Sequence, residues 1–389
     1  MKGAVWLLAV GQTLTYAAIY YSFAALLPEL ELAYGWSKAQ LAAGPTLAFL
    51  VTAALTPLTG RLVDQGWGGR LLVGLPVLGA GALAALASVS QHATWLAVWA
   101  VIGVAQAGCL YETCFAFLTR HLKDDARAAI TRVTLVAGLA STLAFPLGAA
   151  LGGYFGGRGA LLAFAVLMLL GAVPANLAGV RWLSHSVGAG MRGADTAPGA
   201  MAAALRRPAF WGIAAIFGLI WLNHSVVMTY ALTLFADRGA TGGMAVIAAA
   251  TVGPAQVLGR LALMMNEARI GNARATLFAL AAVAAASGML ALAGMAPWLI
   301  FGFALMQGAG AGLLSILRPV LLAEKLGRNG FGAVSGAVAV APILATAAGP
   351  SVGAQLLATG GPPLVYGSCL AMALAALIVG RVLVRPRSG

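Results

Sequence analysis

The sequence predicts an all-α membrane protein, with twelve transmembrane helices in two pseudo-symmetric six-helix bundles. Three observations carry that prediction. The 389-residue chain is 61% hydrophobic and only 8% charged, whereas a soluble globular chain carries about 25% charge, so it lacks the polar surface to cover itself in water. Its apolar segments suit a hydrocarbon core of about 30 Å, which takes ~20 apolar residues per helix. The second half also repeats the plan of the first.

The apolar segments fall at roughly 4–27, 39–60, 71–90, 94–118, 129–153 and 159–180, then at 209–235, 242–264, 274–295, 298–322, 331–358 and 362–383. The first follows Met1-Lys2 directly and runs to Leu27. A cleavable signal has an apolar core of about 7–15 residues and a small-residue cleavage site, so this segment is expected to be a retained helix. The longest polar stretch, 181–208, contains Gly188, Gly190, Gly193, Asp195, Pro198, Arg206 and Arg207. It reads as a linker between a bundle at 1–180 and a bundle at 209–389.

The formal net charge is +13. With Lys2 placed inside, all basic residues except Lys38, Arg158 and Arg238 fall at or near one side. Insertion retains Lys and Arg on the cytoplasmic side, so both termini are expected in the cytoplasm and the protein in the inner membrane. The basic excess is then orientation and attraction to anionic lipid, not a nucleic-acid surface. An offset of 204 residues carries Pro146 onto Pro350, Gly108 onto Gly312 and Leu122 onto Leu326, and one of 205 carries Ala4 and Trp6 onto Ala209 and Trp211. Parallel repeats around a central cavity, with a substrate site near the bilayer midplane, are a recurring transporter architecture.

No Walker loop, His-Glu-x-x-His or Cys-x-x-Cys motif is present, so the expectation is no enzyme, no cofactor and no metal. Cys109, Cys114 and Cys369 lie in apolar stretches and read as small packing residues. The glycines of 308–312, Gly148-x-x-x-Gly152 and Gly349-x-x-x-Gly353 have the spacing that lets helix backbones approach closely. Trp6 and Trp211 read as interfacial anchors.

Ionisable groups inside the spans are more informative, because each costs about 2.5–3.5 kcal/mol at a helix centre on insertion scales. Glu112 lies in the fourth segment, His224 beside Asn223 in the seventh, Arg260 in the eighth, Arg318 before Pro319 in the tenth, and Arg132 near the start of the fifth. A shared interior with these arginines and one carboxylate would be net positive and attract anions. Arginine stays protonated and presents a planar donor fork that suits a carboxylate. Arg260 is therefore the expected main substrate ligand, with Arg318 as a second ligand or as a gate. Glu112 is read either as a desolvated proton carrier or as a tie to Arg132 or Arg318. His224 titrates near neutral pH when unperturbed, which makes it a proton-coupling candidate; the alternative is a neutral ring bonded to another helix. Tyr16, Tyr20, Tyr21 and Tyr111 lie at helical spacings that would put rings and hydroxyls on the interior, with plain packing as the alternative; Tyr16, Tyr20, Tyr111 and Asn223 are the further expected substrate contacts.

Between the second and third segments the chain reads Gly60-Arg61-Leu62-Val63-Asp64-Gln65-Gly66-Trp67-Gly68-Gly69-Arg70. This resembles the Gly-x-Leu-x-Asp loop of the major facilitator superfamily, with one extra residue before the basic end. The resemblance implies the major facilitator fold, transport by alternating access, and a gating role for Asp64 and Arg70. The counterpart in the second half, 264–271, is degraded. The stretch Tyr34-Gly35-Trp36-Ser37-Lys38, Tyr111 and the Gly259-Arg260 step resemble the monocarboxylate and oxalate porter branches, where an arginine of helix 8 binds the substrate carboxylate. Arg260 matches it. The animal monocarboxylate carriers place an aspartate one turn earlier for proton coupling, where this chain has Gln256, and a lysine in helix 1, where this chain has none after Lys2.

The expected function is secondary active transport of small organic anions, with protons as a further partner, by a monomer in contact with membrane lipid. The competing readings are a drug/proton antiporter, for which Phe145-Pro146 and Gly152-Gly153 are a partial match, and a non-transporting membrane receptor.

Overall fold

A computed structural model describes residues 2–187, 199–266 and 269–384. All regular elements among them are helical. Most of the sequence-predicted linker, 188–198, lies outside the described residues, as do Glu267 and Ala268 of the degraded second loop.

The first four spans are α1 (Gly3–Tyr34), α2 (Lys38–Asp64), α3 (Gly68–Leu86) and α4 (His92–Leu122). The next helical run, Ala126–His185, has 60 residues and would reach about 90 Å at 1.5 Å per residue, three times a bilayer core. Both of its ends pack against Lys2–Tyr16 of α1, so the chain must double back. It does so at Gly156, whose φ of 67° is the left-handed region that glycine enters without a Cβ penalty. The two limbs are α5 (126–155) and α6 (157–185).

The remaining single spans are α7 (Pro208–Thr229), α8 (Gly243–Met265), α9 (Asn272–Leu292) and α10 (Leu299–Leu326). Phe331–Val384 again holds two limbs, α11 (331–360) and α12 (362–384), separated at Gly361 with φ 64°. Along α7, Gly218 faces Ala341 and Tyr230 faces Gly353, then Asn223 meets Cys369 and Ile216 lies near Gly380. α11 therefore ascends α7 and α12 returns. With two doubled runs, the ten apolar helical stretches supply the twelve spans the sequence predicts.

The chain forms two compact units, Met1–Met201 with Arg328–Ala339, and Ala202–Gly327 with Val340–Gly389. The first turns of α11 thus belong with the first unit.

In the first unit α2 and α3 pack on α4, and α1 packs on α5. A Cβ at Gly103 of α4 would stand 2.9 Å from Ala48 Cα, and one at Gly148 of α5 2.7 Å from Ala25 Cβ, so these seams need glycine. The entry to α2 is a capping box in which Ser37 and Gln40 bond each other's backbone N–H, satisfying two of the donors every helix start leaves open. Trp95, Trp99, Leu83, Phe164 and Met168 fill the core.

In the second unit α10 packs on α8 and α9. The glycine spacing read as packing serves this seam: Gly259 abuts Ala309, Gly308 abuts Val252 and Gly312 abuts Gln256. Lipid tails are as apolar as leucine, so close van der Waals contact of small residues has to hold such helices together. All three cysteines are buried and free.

Candidate functional site

In the first unit, two helices lose regularity at neighbouring points. α1 widens into a π-turn at Ala17–Tyr21, and α4 breaks at Leu110, whose backbone is extended at φ −87° and ψ −168°. The apolar run at 94–118 gives no sign of this break. Such irregularities free backbone carbonyls that hydrocarbon cannot satisfy. Buried glutamines take them up: Gln106 Nε2 donates to Ile19 O at 2.7 Å in the π-turn, and Gln12 Nε2 donates to Cys109 O at 2.8 Å at the break. The Ile19 carbonyl can only accept, so it fixes the Gln106 amide's orientation and leaves Oε1 3.2 Å from Thr52 Oγ1. π-turns inside helices are frequent at functional sites.

This geometry gathers the predicted tyrosines. The Tyr16 hydroxyl accepts from the Tyr111 N–H at 3.4 Å, capping the restarted helix. The Tyr16 and Tyr111 ring centroids are 4.4 Å apart, Tyr16 and Tyr20 5.5 Å, and Tyr20 and Tyr21 4.9 Å, with Phe49 5.4 Å from Tyr20. Glu112 stands in the first turn after the break, where the helix dipole favours a carboxylate, and within electrostatic reach of Tyr16. Arg132 lies on α5, half-buried, two turns before a second irregularity at Gly138-Leu139.

Asp64 ends α2 and is 8% exposed. Its carboxylate accepts from the Gly332 N–H at 2.7 Å and the Ala333 N–H at 2.8 Å, at the N-terminus of α11. Asp64 thus engages backbone N–H groups at a helix start, a ready-made site for an anion. Arg120 of α4 donates to the Val63 and Asp64 carbonyls, covering acceptors that the end of α2 leaves open. Arg70, grouped with Asp64 in the sequence reading, stacks on Trp67 with its guanidinium 4.6 Å from the ring centroid.

In the second unit, Arg260 of α8 is 5% exposed. Its Nε–H donates to Gly312 O at 3.4 Å on α10, and an Nη donates to Gln256 Oε1 at 3.2 Å one turn back. The Arg318 guanidinium lies 6.0 Å over the Phe217 ring of α7. Arg207 caps the end of α10, reaching Lys325 O and Leu326 O at 3.5 and 3.4 Å, as a cation at a helix C-terminus should.

Asn223, expected to contact substrate, is fully buried and committed to the protein. Its Nδ2 donates to Ser287 Oγ at 3.1 Å and Cys369 O at 2.8 Å, and its Oδ1 accepts from Gln307 Nε2 at 3.1 Å. That amide ties α7 to α9, α10 and α12. His224 meets the same Gln307 Nε2 through Nδ1 at 3.3 Å. The charged side chains that stand out in the sequence give no indication of Gln12, Gln106, Ser287 and Gln307. An amide inside an apolar span was the signal available, since a buried amide must find partners.

The Major Facilitator Superfamily model matches residues 8–341. Among solved structures, a bacterial homologue of the iron transporter ferroportin in its outward-facing state is similar with TM-score 0.76 and 16% identity, over 98% of this chain and 99% of that one. The human organic anion transporter MFSD10 (TETRAN) gives 0.72 and 19%, over 97% and 99%. The outward conformation of the major facilitator transporter FucP gives 0.73 and 15%, over 98% and 99%. At such identities these likenesses establish the fold. No curated protein matches the sequence. With twelve spans in two duplicated halves and an Asp64 loop of the expected kind, the match over residues 8–341 shows that this chain belongs to the Major Facilitator Superfamily.

Proposed function

We propose that this chain is a secondary active transporter of small organic anions, monocarboxylates first among them, working by alternating access with both termini in the cytoplasm. The observation that carries the reading is Arg260. A guanidinium stays charged in any protein environment, and this one is held inside the second unit, 5% exposed, with contacts to Gln256 Oε1 and Gly312 O in the α8/α10 seam. A carboxylate substrate is the complement of that charge and of its planar donor fork. Arg318 adds a second cation on α10, beside Phe217. His224 is the proton-coupling group of this reading, since Gln256 stands where the animal carriers have an aspartate. Asp64 serves as a latch that holds α2 to the start of α11 in one state and releases it in the other.

A second reading has an observation of its own. The rings of Tyr16, Tyr20, Tyr21 and Tyr111 stand around the turn that holds Glu112, and aromatic faces with a carboxylate suit a lipophilic cation. A non-transporting receptor gains no comparable support. Counterflow in proteoliposomes separates the three. Exchange of labelled lactate, pyruvate or oxalate supports the anion carrier; exchange of lipophilic cations alone replaces it with the antiporter; no exchange of either class removes transport of both.

A further inference from the structure

The amide chain in the second unit has only one consistent arrangement of donors and acceptors. The Cys369 carbonyl can only accept, so the Asn223 group 2.8 Å from it is the NH2 and Oδ1 points the other way. Oδ1 can only accept, so Gln307 must present its own NH2 there. The same Nε2 stands 3.3 Å from His224 Nδ1, so Nδ1 accepts. The ring is therefore neutral, with its proton on Nε2. The tautomer is set by a carbonyl on α12, through two amides.

We infer that His224 Nδ1 is a proton-binding site, and that proton uptake there removes one of the two ties that Gln307 of α10 makes to α7. A protonated Nδ1 is a donor facing the Gln307 NH2, which is also a donor. Gln307 could turn its Oε1 toward the ring, and that oxygen is buried without a hydrogen-bond partner. Turning, however, brings Oε1 against Asn223 Oδ1, which is fixed by Asn223's own bonds to Cys369 and Ser287. Either the Gln307–His224 bond or the Gln307–Asn223 bond must be given up. Gln307 is the α10 member of this cluster, so α10 loses a tie to α7 while Asn223 keeps its ties to α9 and α12.

Among the described residues, the charged groups that α8, α9 and α10 carry are mostly basic. On α10 the cation in register is Arg318, three turns beyond Gln307 and over Phe217, which is two turns before His224 on α7. Farther along α10 come Glu324, bonded to Asn272, and Lys325 in the last turn. The charged residues of α8 and α9 are Arg260 and Arg274. Residues 340–380 of α11 and α12 contain no Asp, Glu, Lys, Arg or His; their titratable groups are the Cys369 thiol and Tyr366, which bonds Leu234 O and Asp237. A proton entering here adds positive charge to a helix pair that already carries it, so the protonated state favours loss of that tie or an incoming anion.

The inference deepens the proton-coupling part of the function proposed above and rests on it, but not on which solute is carried. Its test uses the full chain in lipid nanodiscs with 15N-labelled histidine. The chain has four histidines, and His224→Gln assigns the signal of interest. At neutral pH His224 is expected as the pure Nε2–H tautomer. Acidification is expected to turn it into imidazolium together with a shift of the Gln307 side-chain NH2 resonance. Asn223→Ala frees Gln307 to turn, so a second population with Nδ1–H is expected; Gln307→Met, which removes the donor, should release the same population if the first variant does not fold. An Nδ1–H tautomer in the wild type overturns the inference. So does protonation that leaves the Gln307 resonance in place, or a ring that stays neutral throughout the pH range in which the protein is folded. These spectra contain no transport step, so their failure is distinct from failure of anion counterflow.

Discussion

Asp64 and Gly332, 268 positions apart in the chain, are joined by a 2.7 Å hydrogen bond from the Gly332 N–H to the Asp64 carboxylate. The second oxygen takes the next N–H, that of Ala333. A bidentate carboxylate on two open donors of a helix start combines charge-assisted bonding with the favourable end of the dipole. Hydrogen bonds to charged groups contribute about 1.5–3 kcal/mol each, enough to bias an equilibrium between two states without freezing it. Asp64→Asn keeps one acceptor and loses the charge. It is expected to reduce counterflow at least tenfold while leaving membrane insertion unchanged, and to raise thiol labelling of a cysteine placed at Ser335, which is 2% exposed on the first turns of α11. Wild-type labelling and exchange would remove the latch.

The same contact makes a steric prediction. A Cβ on Gly60 would lie 2.5 Å from the Gly332 carbonyl carbon, and one on Gly336 2.9 Å from the Thr56 carbonyl carbon. These are backbone atoms and cannot swing aside. Gly60→Ala and Gly336→Ala should therefore reproduce the labelling change of Asp64→Asn with the carboxylate intact. Were both variants to label like the wild type, the close approach of α2 and α11 would not matter to the state that is populated.

The sequence makes the spans legible, because each of the twelve is a run of apolar residues whose length is set by the bilayer. The Asp64 loop is legible too, as a carboxylate at the end of a span. Its partner is not, since backbone N–H groups carry no residue signature and any start of α11 would offer them. The break at Leu110 is hidden for a related reason: Cys109-Leu110-Tyr111 contains no proline or glycine, and the deviation is sustained by Gln12 from a different helix. Asn223 shows the converse. It looks exposed to a cavity when read beside His224, and only the distant Ser287, Gln307 and Cys369 reveal that its bonding capacity is used inside the unit.

The π-turn depends on a single amide. Gln106 donates to Ile19 O at 2.7 Å, with its Oε1 3.2 Å from Thr52 Oγ1, so replacing it orphans a buried carbonyl, at a cost of about 1–3 kcal/mol. Gln106→Leu is expected to lower the unfolding midpoint in detergent by several degrees and to disturb the ring cluster of Tyr16 and Tyr20. Tyrosine fluorescence and the melting curve together check this. A variant that melts like the wild type would mean that α1 can close the π-turn back to a regular helix.

Arg260 and Gln256 offer the sharpest test of charge in the second unit. Arg260→Lys keeps the charge but replaces the planar fork that reaches Gln256 and Gly312 together by a single ammonium. Anion counterflow is expected to fall at least tenfold, and Arg260→Ala should abolish it. Gln256→Asp asks the opposite question. At neutral pH an ionised carboxylate one turn from Arg260 neutralises the guanidinium and competes with the substrate anion, so counterflow should drop. Acidification protonates that carboxylate, restores the positive charge and should restore exchange, giving a variant that transports anions only at low pH. Exchange by Gln256→Asp that stays at the wild-type level at neutral pH would show that the charge of Arg260 is not what the substrate meets.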